Sequence, residues 1–345
     1  MGNPCGVVGA GGWGTALALV MARKEYKVKL WVRSEENLIQ MKEERENKKY
    51  LPGVFLPENI ELSRDQEKVV RGSRLIVVAL PSHVLRNFII EVKKFIPRDS
   101  FLVSATKGLE KDTFKRMSQV IEEELGTYFY FRTAVLSGPN HAEEVAREIP
   151  SATVIASKKR EAAEMAQDIF MSPSFRVYTN PDLVGVELGG ALKNIIALGS
   201  GISDGLGYGD NTKAALMTRG LLEISRLGIK MGARPLTFAG LAGIGDLIAT
   251  CTSQHSRNRR AGMMLGEGKE HEEVLEEMKM VVEGIKTSHA AIRLAEIKEI
   301  EMPITKEVFR VIFEKKDPRQ AVTDLMGRVK KNEMEEIVET DIEDW

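Results

Sequence analysis

The sequence predicts an α/β domain with a mostly parallel sheet, followed by an all-α domain. Near the N-terminus, a glycine-rich turn separates a strand-like segment from a helical one. Strand-like and helical segments then alternate as far as residue 180, which is typical of parallel strands joined by helices. Beyond residue 181 the strand patterns stop and helical periodicity takes over. A chain of 345 residues is long enough for two domains, and we expect them at 1–182 and 183–345.

The composition is that of an ordinary globular protein, with 43% hydrophobic and 29% charged residues. A net charge of −1 gives no electrostatic reason to expect nucleic acid or an anionic membrane as a partner. The two cysteines, Cys5 and Cys251, form neither a disulfide framework nor a metal-ligand spacing. We therefore expect a cytoplasmic protein without a metal site. The apolar segment 7–22 is broken by glycines and is too short to span a bilayer.

The first strand-like segment, Cys5–Val8, leads into the turn 9–14, a helical segment 15–24 and a second strand-like segment 28–32. The turn reads GAGGWG, which is G-x-G-x-x-G inside one βαβ unit. This is the pattern of a Rossmann-type domain that binds a dinucleotide, because the start of the helix presents free amides to the pyrophosphate.

Each motif glycine of this turn has a separate expected role. Gly9 permits the tight turn, Gly11 lets the backbone approach the pyrophosphate, and Gly14 lets the helix pack closely on the strand. Trp13 lies beside the turn, where it can pack on the cofactor or fill the core.

The end of the second strand bears on the choice of cofactor. NAD sites usually place a carboxylate there to bind the ribose hydroxyls. This chain has Arg33-Ser34 instead, and acidic residues arrive only at Glu35 and Glu36. Arg33 can pair with a 2′-phosphate, which favours NADP(H), with NAD(H) still possible. The alternative is a solvated arginine at a strand end.

Several polar residues follow later strand-like segments. Those segments are Leu75–Leu80, Phe101–Ala105, Ala134–Ser137, Thr153–Ala156 and Phe175–Tyr178. Ligands of parallel sheets lie outside the carboxyl ends of the strands. At this edge, Lys107 is a plausible cation for binding a phosphate. His83 and His141 are candidate acid–base groups, or else residues without a role in the reaction. The segment 50–53, YLPG, is predicted to be a loop near the cleft.

Lys193 stands in the middle of a predicted helix, Val184–Ser203, made almost entirely of small and apolar residues. Such a helix is buried. Desolvation lowers the pKa of a buried lysine, and a lysine near neutrality can exchange a proton with an alcohol. The alternative is a structural lysine that pairs with Glu187 or extends to solvent.

Two later segments carry polar groups. The glycine-rich segment 240–247 contains Asp246, which can orient Lys193, bind substrate hydroxyls or cap a helix. The segment 252–259, TSQHSRNR, combines hydrogen-bond donors with a helix start, which suits a phosphate, or else is an ordinary polar cap. The other helical segments of this half are Thr212–Met231, Lys286–Ile297, Thr305–Phe313 and the acidic 332–344.

Nine stretches, in this order, resemble the bacterial-type NAD(P)-dependent sn-glycerol-3-phosphate dehydrogenases over nearly the whole chain. They are GAGGWGTALA at 9–18, YLPG at 50–53, VVALPS at 77–82, SATKGLE at 104–110, SGPNHAEEVA at 137–146, ELGGALKNIIALGSGISDGLGYGDNTKAAL at 187–216, GLAGIGDLIATC at 240–251, SRNRRAG at 256–262 and VVEGIKT at 281–287.

The resemblance implies roles for individual residues. Lys193 is implied as the proton acceptor for the secondary hydroxyl of glycerol 3-phosphate. The positions that match cofactor contacts are Gly12, Trp13, Arg33, Lys107, Ala142, Arg257, Val281 and Glu283. The positions that match substrate contacts are Lys107, Gly138, Asn140, Lys193, Asp246, Ser256, Arg257 and Asn258. Many relatives have Ser at position 12 and Ser or Thr at position 140, where this chain has Gly12 and Asn140.

The implied reaction is reversible hydride transfer between NAD(P)H and dihydroxyacetone phosphate. Members of this family are usually cytosolic homodimers that supply glycerol 3-phosphate for phospholipid synthesis. Two other hypotheses stay open at this point. One is a dehydrogenase for a 3-hydroxy acid or a sugar acid, whose substrates carry a carboxylate rather than a phosphate. The other is a non-catalytic dinucleotide sensor.

Overall fold

A computed structural model describes residues 4–278 and 281–330. The predicted acidic helix 332–344 lies outside these described residues. The strands are β1 (Cys5–Val8), β2 (Val28–Trp31), β3 (Glu46–Asn47), β4 (Leu51–Phe55), β5 (Ile60–Ser63), β6 (Leu75–Val78), β7 (Phe101–Ser104), β8 (Thr133–Ser137), β9 (Ser151–Ser157) and β10 (Phe175–Asn180).

The helices of the first half alternate with these strands. They are α1 (Gly12–Arg23), α2 (Glu35–Glu44), α3 (Gln66–Val70), α4 (Leu85–Val92), α5 (Met117–Leu125), α6 (Thr127–Tyr130), α7 (Ala142–Ala146) and α8 (Arg160–Phe170). The second half is helical in the residues described. Its helices are α9 (Leu183–Gly205), α10 (Asp210–Lys230), α11 (Pro235–Phe238), α12 (Asp246–Thr252), α13 (Arg257–Gly266), α14 (His271–Met278), α15 (Glu283–Lys298), α16 (Pro303–Phe313) and α17 (Pro318–Met326).

The main sheet has the strand order β10-β9-β8-β7-β6-β1-β2-β5. Its pairs are parallel except β8 with β9, which is antiparallel. All residues of β1, β6 and β7 are buried because helices cover both faces, and this explains why these strands are continuous apolar runs. The prediction of a mostly parallel α/β sheet followed by an all-α half is confirmed.

A small antiparallel sheet of β3 and β4 corrects the prediction of a loop at 50–53. Residues 51–53 belong to β4, whose proline and glycine masked the strand pattern. The side-chain amide of Asn47 donates to the carbonyl of Ala10 and to the hydroxyl of Thr15, each at 2.9 Å. These bonds hold the hairpin against the glycine-rich turn.

The long helix α9 is the centre of the helical half. Every residue from Leu183 to Ser203 is buried. Its glycines let neighbouring backbone approach, since a Cβ on Gly201 would lie 2.0 Å from the carbonyl of Arg259 in α13. The segments Leu183–Gly205 and Pro235–Thr252 are long and apolar enough to cross a membrane by length and composition alone. The first of them is wholly buried inside the protein, which is the position of a core helix.

The two halves meet just after residue 180, because β10 ends at Asn180 and α9 begins at Leu183. Asp182 caps α9 by accepting a hydrogen bond from the amide of Gly185 at 2.9 Å. The same carboxylate accepts from the amide of Arg234 at 2.8 Å, so this junction is tied to α11.

Candidate active site

The carboxyl ends of β1, β2, β6, β7 and β8 form one edge of the sheet, and α9 and α12 of the helical half face this edge. Lys107 comes from the loop after β7, Lys193 from the middle of α9 and Asp246 from the start of α12. The ammonium of Lys107 lies 2.7 Å from Oδ2 of Asp246, and the ammonium of Lys193 contacts Oδ1 of the same carboxylate. These three residues, the lysine–aspartate cluster, join both halves of the protein.

Burial controls the charge of this cluster. Lys193 is 5% exposed and Asp246 is 1% exposed. Desolvation is the main cause that lowers the pKa of Lys193, Asp246 raises it, the charge of Lys107 lowers it, and the resulting pKa is about 7. Desolvation would raise the pKa of Asp246, but the two ammonium groups outweigh it and hold that pKa below its ordinary value. Lys193 is therefore poised to exchange a proton near neutral pH beside a charged carboxylate.

The position of Asp246 depends on an unusual turn. A single π-helical turn, Leu241–Gly245, leads directly into α12 and sets Asp246 against α9. Such turns are rare and occur often at functional sites. Asp246 does not cap α12 with its side chain, so the alternative prediction that Asp246 is a helix cap is wrong.

Thr250 belongs to the same site, and the sequence reasoning missed it. Its hydroxyl accepts a hydrogen bond from Lys193 at 2.6 Å and donates to the carbonyl of Asp246 at 2.7 Å. Thr250 follows Asp246 by four residues, a spacing that places both on one face of a helix and would have signalled the contact. The hydroxyl thus fixes the ammonium from a second side.

The pairing of Lys193 with Glu187 is wrong. The carboxylate of Glu187 instead accepts from the side chain of Arg116 and from the amide of Ser118, the latter at 2.8 Å. Arg116 precedes α5, so this buried ion pair joins the sheet domain to α9.

The glycine-rich turn has the shape that the sequence predicts for a dinucleotide site. Gly9 has a φ of 112°, a conformation that favours glycine. A Cβ on Gly14 would lie 1.9 Å from the carbonyl of Gly9, so only glycine permits this contact between α1 and β1. A Cβ on Gly11 would meet nothing within 4 Å, so the space beside it is open to a ligand.

The close packing around Gly12 accounts for one departure from the family pattern, the glycine at a position where many relatives have serine. A Cβ there would lie 2.9 Å from the carbonyl of Tyr50 and 3.5 Å from the Cβ of Ala142. The β3–β4 hairpin and α7 therefore both approach the start of α1 at this residue. Serine at position 12 would require the hairpin to move.

Two buried polar atoms at this edge of the sheet indicate that a cofactor and a substrate fit the site. Nε1 of Trp13 and Oδ1 of Asn140 are buried and have no hydrogen-bond partner within the described residues. The amide nitrogen of Asn140 is used, because it donates to Ala152 at 2.8 Å and to Pro139 at 3.1 Å. Buried polar groups normally have a hydrogen-bond partner. The unpaired donor of Trp13 and the unpaired acceptor of Asn140 therefore fit a site in which a polar ligand supplies the partners.

The loop after β8 also fixes Gly138. Its carbonyl accepts from Lys107 at 3.3 Å. A Cβ on Gly138 would lie 3.0 Å from the Cα of Thr153, so the loop packs tightly on β9. Ser137, just before it, donates to Asp246 at 3.3 Å. The loop and the lysine–aspartate cluster are therefore one contact network.

The start of α13 carries the predicted phosphate-binding residues. Ser256 caps the helix by accepting from the amide of Arg259 at 3.2 Å, so the predicted polar cap is present. Arg257 is exposed, and Asn258 donates to Asn194 at 2.9 Å. Asn194 follows Lys193 on α9, which places this helix start beside the cluster.

Glu283 and Val281 lie on the same side of the protein. Glu283 begins α15 and accepts from the hydroxyl of Ser82 at 3.4 Å. Burial raises the pKa of Glu283, while the charges of Lys286 and Arg257 oppose the rise. Val281 is partly buried two residues earlier. The contact of Glu283 with Ser82 places the start of α15 near the loop after β6.

The two candidate histidines occupy different contacts. His141 donates from Nε2 to the carbonyl of Ala249 at 3.3 Å, which joins α7 to α12. His83 lies after β6, 3.2 Å from the ammonium of Lys286. Arg33 is exposed at the end of β2 and is close enough for its charge to lower the pKa of His83, although burial is the larger cause. Arg33 makes no hydrogen bond or ion pair with the lysine–aspartate cluster.

Comparison with known proteins decides the family. Residues 4–163 match the family described as the N-terminus of NAD-dependent glycerol-3-phosphate dehydrogenase, and residues 182–323 match its C-terminus. The chain belongs to this family of glycerol-3-phosphate dehydrogenases. The resemblance seen in the sequence motifs is thereby confirmed.

Individual relatives cover almost the whole chain. Glycerol-3-phosphate dehydrogenase [NAD(P)+] of Pelotomaculum thermopropionicum is 56% identical over 98% of this chain and 97% of its own length. The enzyme of the same name from Bacillus licheniformis is 52% identical over 97% of both chains. The crystal structure of glycerol-3-phosphate dehydrogenase from Coxiella burnetii has a TM-score of 0.90 at 40% identity and covers 94% of this chain and 99% of that one.

Among residues 4–278 and 281–330, no group of three or more His, Cys, Asp or Glu side chains is placed to hold a metal ion.

Proposed function

We propose that the protein transfers hydride reversibly between NAD(P)H and dihydroxyacetone phosphate, forming sn-glycerol 3-phosphate. The observation that carries this proposal is the buried lysine–aspartate cluster. It lies at the carboxyl edge of the sheet, next to the dinucleotide turn, and it contains a lysine whose pKa burial lowers to about 7. Family membership favours the phosphorylated three-carbon substrate.

Lys193 exchanges the proton of the substrate oxygen. In the oxidation, its neutral amine accepts the hydroxyl proton while the C2–H bond breaks and its electron pair leaves as hydride. In the reduction, its ammonium returns that proton to the oxygen. The nicotinamide supplies the acceptor or donor of the hydride when it is bound. Asp246 and Thr250 hold the nitrogen of Lys193 in place through both protonation states.

The phosphate of the substrate needs a separate binding group. Arg257 provides an exposed guanidinium at the start of α13, and Ser256 and Asn258 flank it. A helix start attracts an anion because its first amides are free. Binding energy from the phosphate then orients the reacting carbon. Lys107, which is paired with Asp246, adds a cation from the loop after β7.

The buried polar atoms without a partner support the remaining contacts. We expect Trp13 and Gly11 on the cofactor side of the cleft, where the turn leaves open space and an unpaired donor. We expect Asn140 on the substrate side, where its unpaired oxygen can accept a hydrogen bond from a substrate hydroxyl. Gly12 and Ala142 close the cofactor side from the hairpin and from α7.

The test is the initial rate of cofactor oxidation with dihydroxyacetone phosphate, with NADPH and NADH in parallel. Unphosphorylated dihydroxyacetone is the control. We expect turnover with the phosphorylated ketone and a far lower rate with the control. Turnover with a carboxylate substrate alone would favour a hydroxy-acid dehydrogenase, and cofactor binding without turnover of any substrate would favour a sensor.

A substitution of Lys193 tests the proton transfer directly. Lys193→Met keeps the volume of the side chain, and we expect kcat to fall by about 10² or more while cofactor binding survives. Lys230→Met, at the exposed end of α10, is the matched control. A near-normal kcat for Lys193→Met would contradict the role of Lys193.

We also propose that the enzyme acts in the cytoplasm as a homodimer that supplies glycerol 3-phosphate for phospholipid synthesis. The two cysteines, Cys5 and Cys251, are both free, which supports a reducing compartment. Light scattering of the purified protein measures the oligomer. A monomer mass at micromolar concentration would contradict the homodimer.

A further inference from the structure

Two cationic side chains and one imidazole, each from a separate element, lie near the carboxyl ends of β2 and β6. Arg33 follows β2, His83 follows β6, and Lys286 lies in the first turn of α15 in the helical half. The ammonium of Lys286 is 3.2 Å from Nδ1 of His83. The charge of Arg33 acts on the same imidazole. We call these residues the Arg–His–Lys cluster.

The contact between Lys286 and His83 fixes the state of the imidazole. An ammonium can only donate hydrogen bonds, so Nδ1 of His83 must accept. The single proton of the neutral ring is then on Nε2, which remains a donor. Burial lowers the pKa of His83, and the charges of Lys286 and Arg33 lower it further, so the neutral ring is favoured. The cluster therefore offers two cations and one neutral donor.

Nearby carboxylates do not neutralise the cluster. Glu35, two residues after Arg33, is bound by Arg64 at 2.7 Å. Glu283, one turn before Lys286 on α15, accepts from Ser82, and burial raises its pKa while the charge of Lys286 lowers it, so this carboxylate offsets only part of the charge of Lys286. Within the described residues, Arg33 has neither an ion pair nor a hydrogen bond, so the cluster has an excess of positive charge that suits an anion.

The place of the cluster in the fold indicates which anion. β1 pairs with β2 on one side and with β6 on the other, so Arg33 and His83 lie on either side of the dinucleotide turn at one edge of the sheet. In folds of this kind, the end of the second strand reads the 2′ position of the adenosine ribose. NADP(H) differs from NAD(H) by a phosphate at that position.

We propose that Lys286 and His83 complete, with Arg33, a binding site for the 2′-phosphate of NADP(H). The helical half thus supplies one of the two cations that distinguish the cofactors. This inference rests on the proposed NAD(P)-dependent function and adds residues outside the dinucleotide motif to it. Part of the selectivity for NADP(H) then depends on the contact between the two halves of the protein, since Lys286 reaches the site from α15.

The test uses fragments of the cofactor, so it needs no turnover. Calorimetry measures the dissociation constants of adenosine 2′,5′-bisphosphate and of 5′-AMP for the full-length parent, Lys286→Met and Lys286→Arg. A charge-assisted contact to phosphate makes a loss of about tenfold reasonable. We expect Lys286→Met to weaken the bisphosphate by about this factor, to leave 5′-AMP within about twofold, and Lys286→Arg to retain most of the affinity.

Lys298→Met is the matched control, because Lys298 ends the same helix α15. We expect it to bind both fragments as the parent does. An equal loss of both fragments in Lys286→Met, or a loss of neither, would overturn the proposal. So would a parent protein that binds both fragments equally. Turnover of dihydroxyacetone phosphate with NADH by the parent is measured separately, so the dehydrogenase function stands or fails on its own result.

Discussion

The rate of glycerol 3-phosphate oxidation should rise with pH through the pKa of Lys193. The neutral amine is the proton acceptor, and burial lowers the pKa of this lysine to about 7. Below that value the ammonium dominates, and each further pH unit reduces the neutral fraction about tenfold. Oxidation at pH 6 should therefore proceed at about a tenth of its plateau rate. Ketone reduction needs the ammonium, so its rate should fall as pH rises through the same value.

Asp246→Asn supplies the second half of this prediction. The carboxylate of Asp246 raises the pKa of Lys193 against burial, so its removal should move the oxidation midpoint to lower pH. A unit charge in contact, at an effective dielectric constant of about 20, contributes several kcal/mol, and one pKa unit corresponds to about 1.4 kcal/mol. We therefore expect the midpoint to move down by about one pH unit or more, although the plateau rate also falls because Lys193 loses its anchor.

The assay is kcat/KM for sn-glycerol 3-phosphate from pH 5.5 to 9 at saturating cofactor, with the parent and Asp246→Asn in the same buffers. The phosphate of the substrate titrates near pH 6, as phosphate monoesters do, but identically for both proteins. A shift between the two profiles therefore comes from the enzyme. A parent profile that is flat between pH 6 and 8, or a midpoint that moves upward in Asp246→Asn, would refute the assignment of Lys193.

Three further predictions concern the cofactor and the joint between domains. Gly11→Ala should keep the melting temperature of the parent but weaken NADPH binding by about tenfold or more, because its Cβ meets open space where a pyrophosphate approaches, whereas Gly14→Ala should fail to fold normally. Fluorescence titration and thermal melting distinguish these outcomes, and unchanged NADPH affinity in Gly11→Ala would contradict the first. Arg33→Asp should shift the preference toward NADH, and an unchanged NADPH/NADH ratio of kcat/KM would show that Arg33 does not bind the 2′-phosphate. Glu187→Ala should lower the free energy of unfolding by about 3–5 kcal/mol, because it leaves a buried arginine unpaired, while Glu164→Ala in an exposed pair should cost less than about 1 kcal/mol. Urea denaturation measures the free energy of unfolding of both variants. Equal losses in the two variants would contradict the prediction that the buried ion pair contributes more than the exposed one.

The local pattern of the sequence determined the elements and the dinucleotide turn. The predicted strand Cys5–Val8 is confirmed at both ends, since the apolar run is bounded by a proline and by the glycine turn. The helix predicted at Val184–Ser203 is confirmed and runs from Leu183 to Gly205, one residue longer at its start and two residues longer at its end. Both succeeded because burial on all sides leaves an unbroken apolar run that needs no knowledge of the partner. The strands β3, β4 and β5 were missed, because β3 and β5 are short and contain polar residues, and β4 is interrupted by a proline and a glycine.

The partners of the charged residues were decided only by the tertiary structure. Along the sequence, Glu187 is the carboxylate nearest to Lys193, yet the fold pairs Lys193 with Asp246, 53 residues away. Lys286 and His83 are separated by 203 residues, and no pattern in either segment predicts their contact. The physical reason is that a buried charge takes whichever opposite charge the packing of helices and sheet brings within reach, since desolvation makes an unpaired charge costly. The sequence therefore predicts candidate residues such as Lys193 and Asp246, whereas their contact, and the contact of Thr250 with both, follows from the packing of α9 against α12.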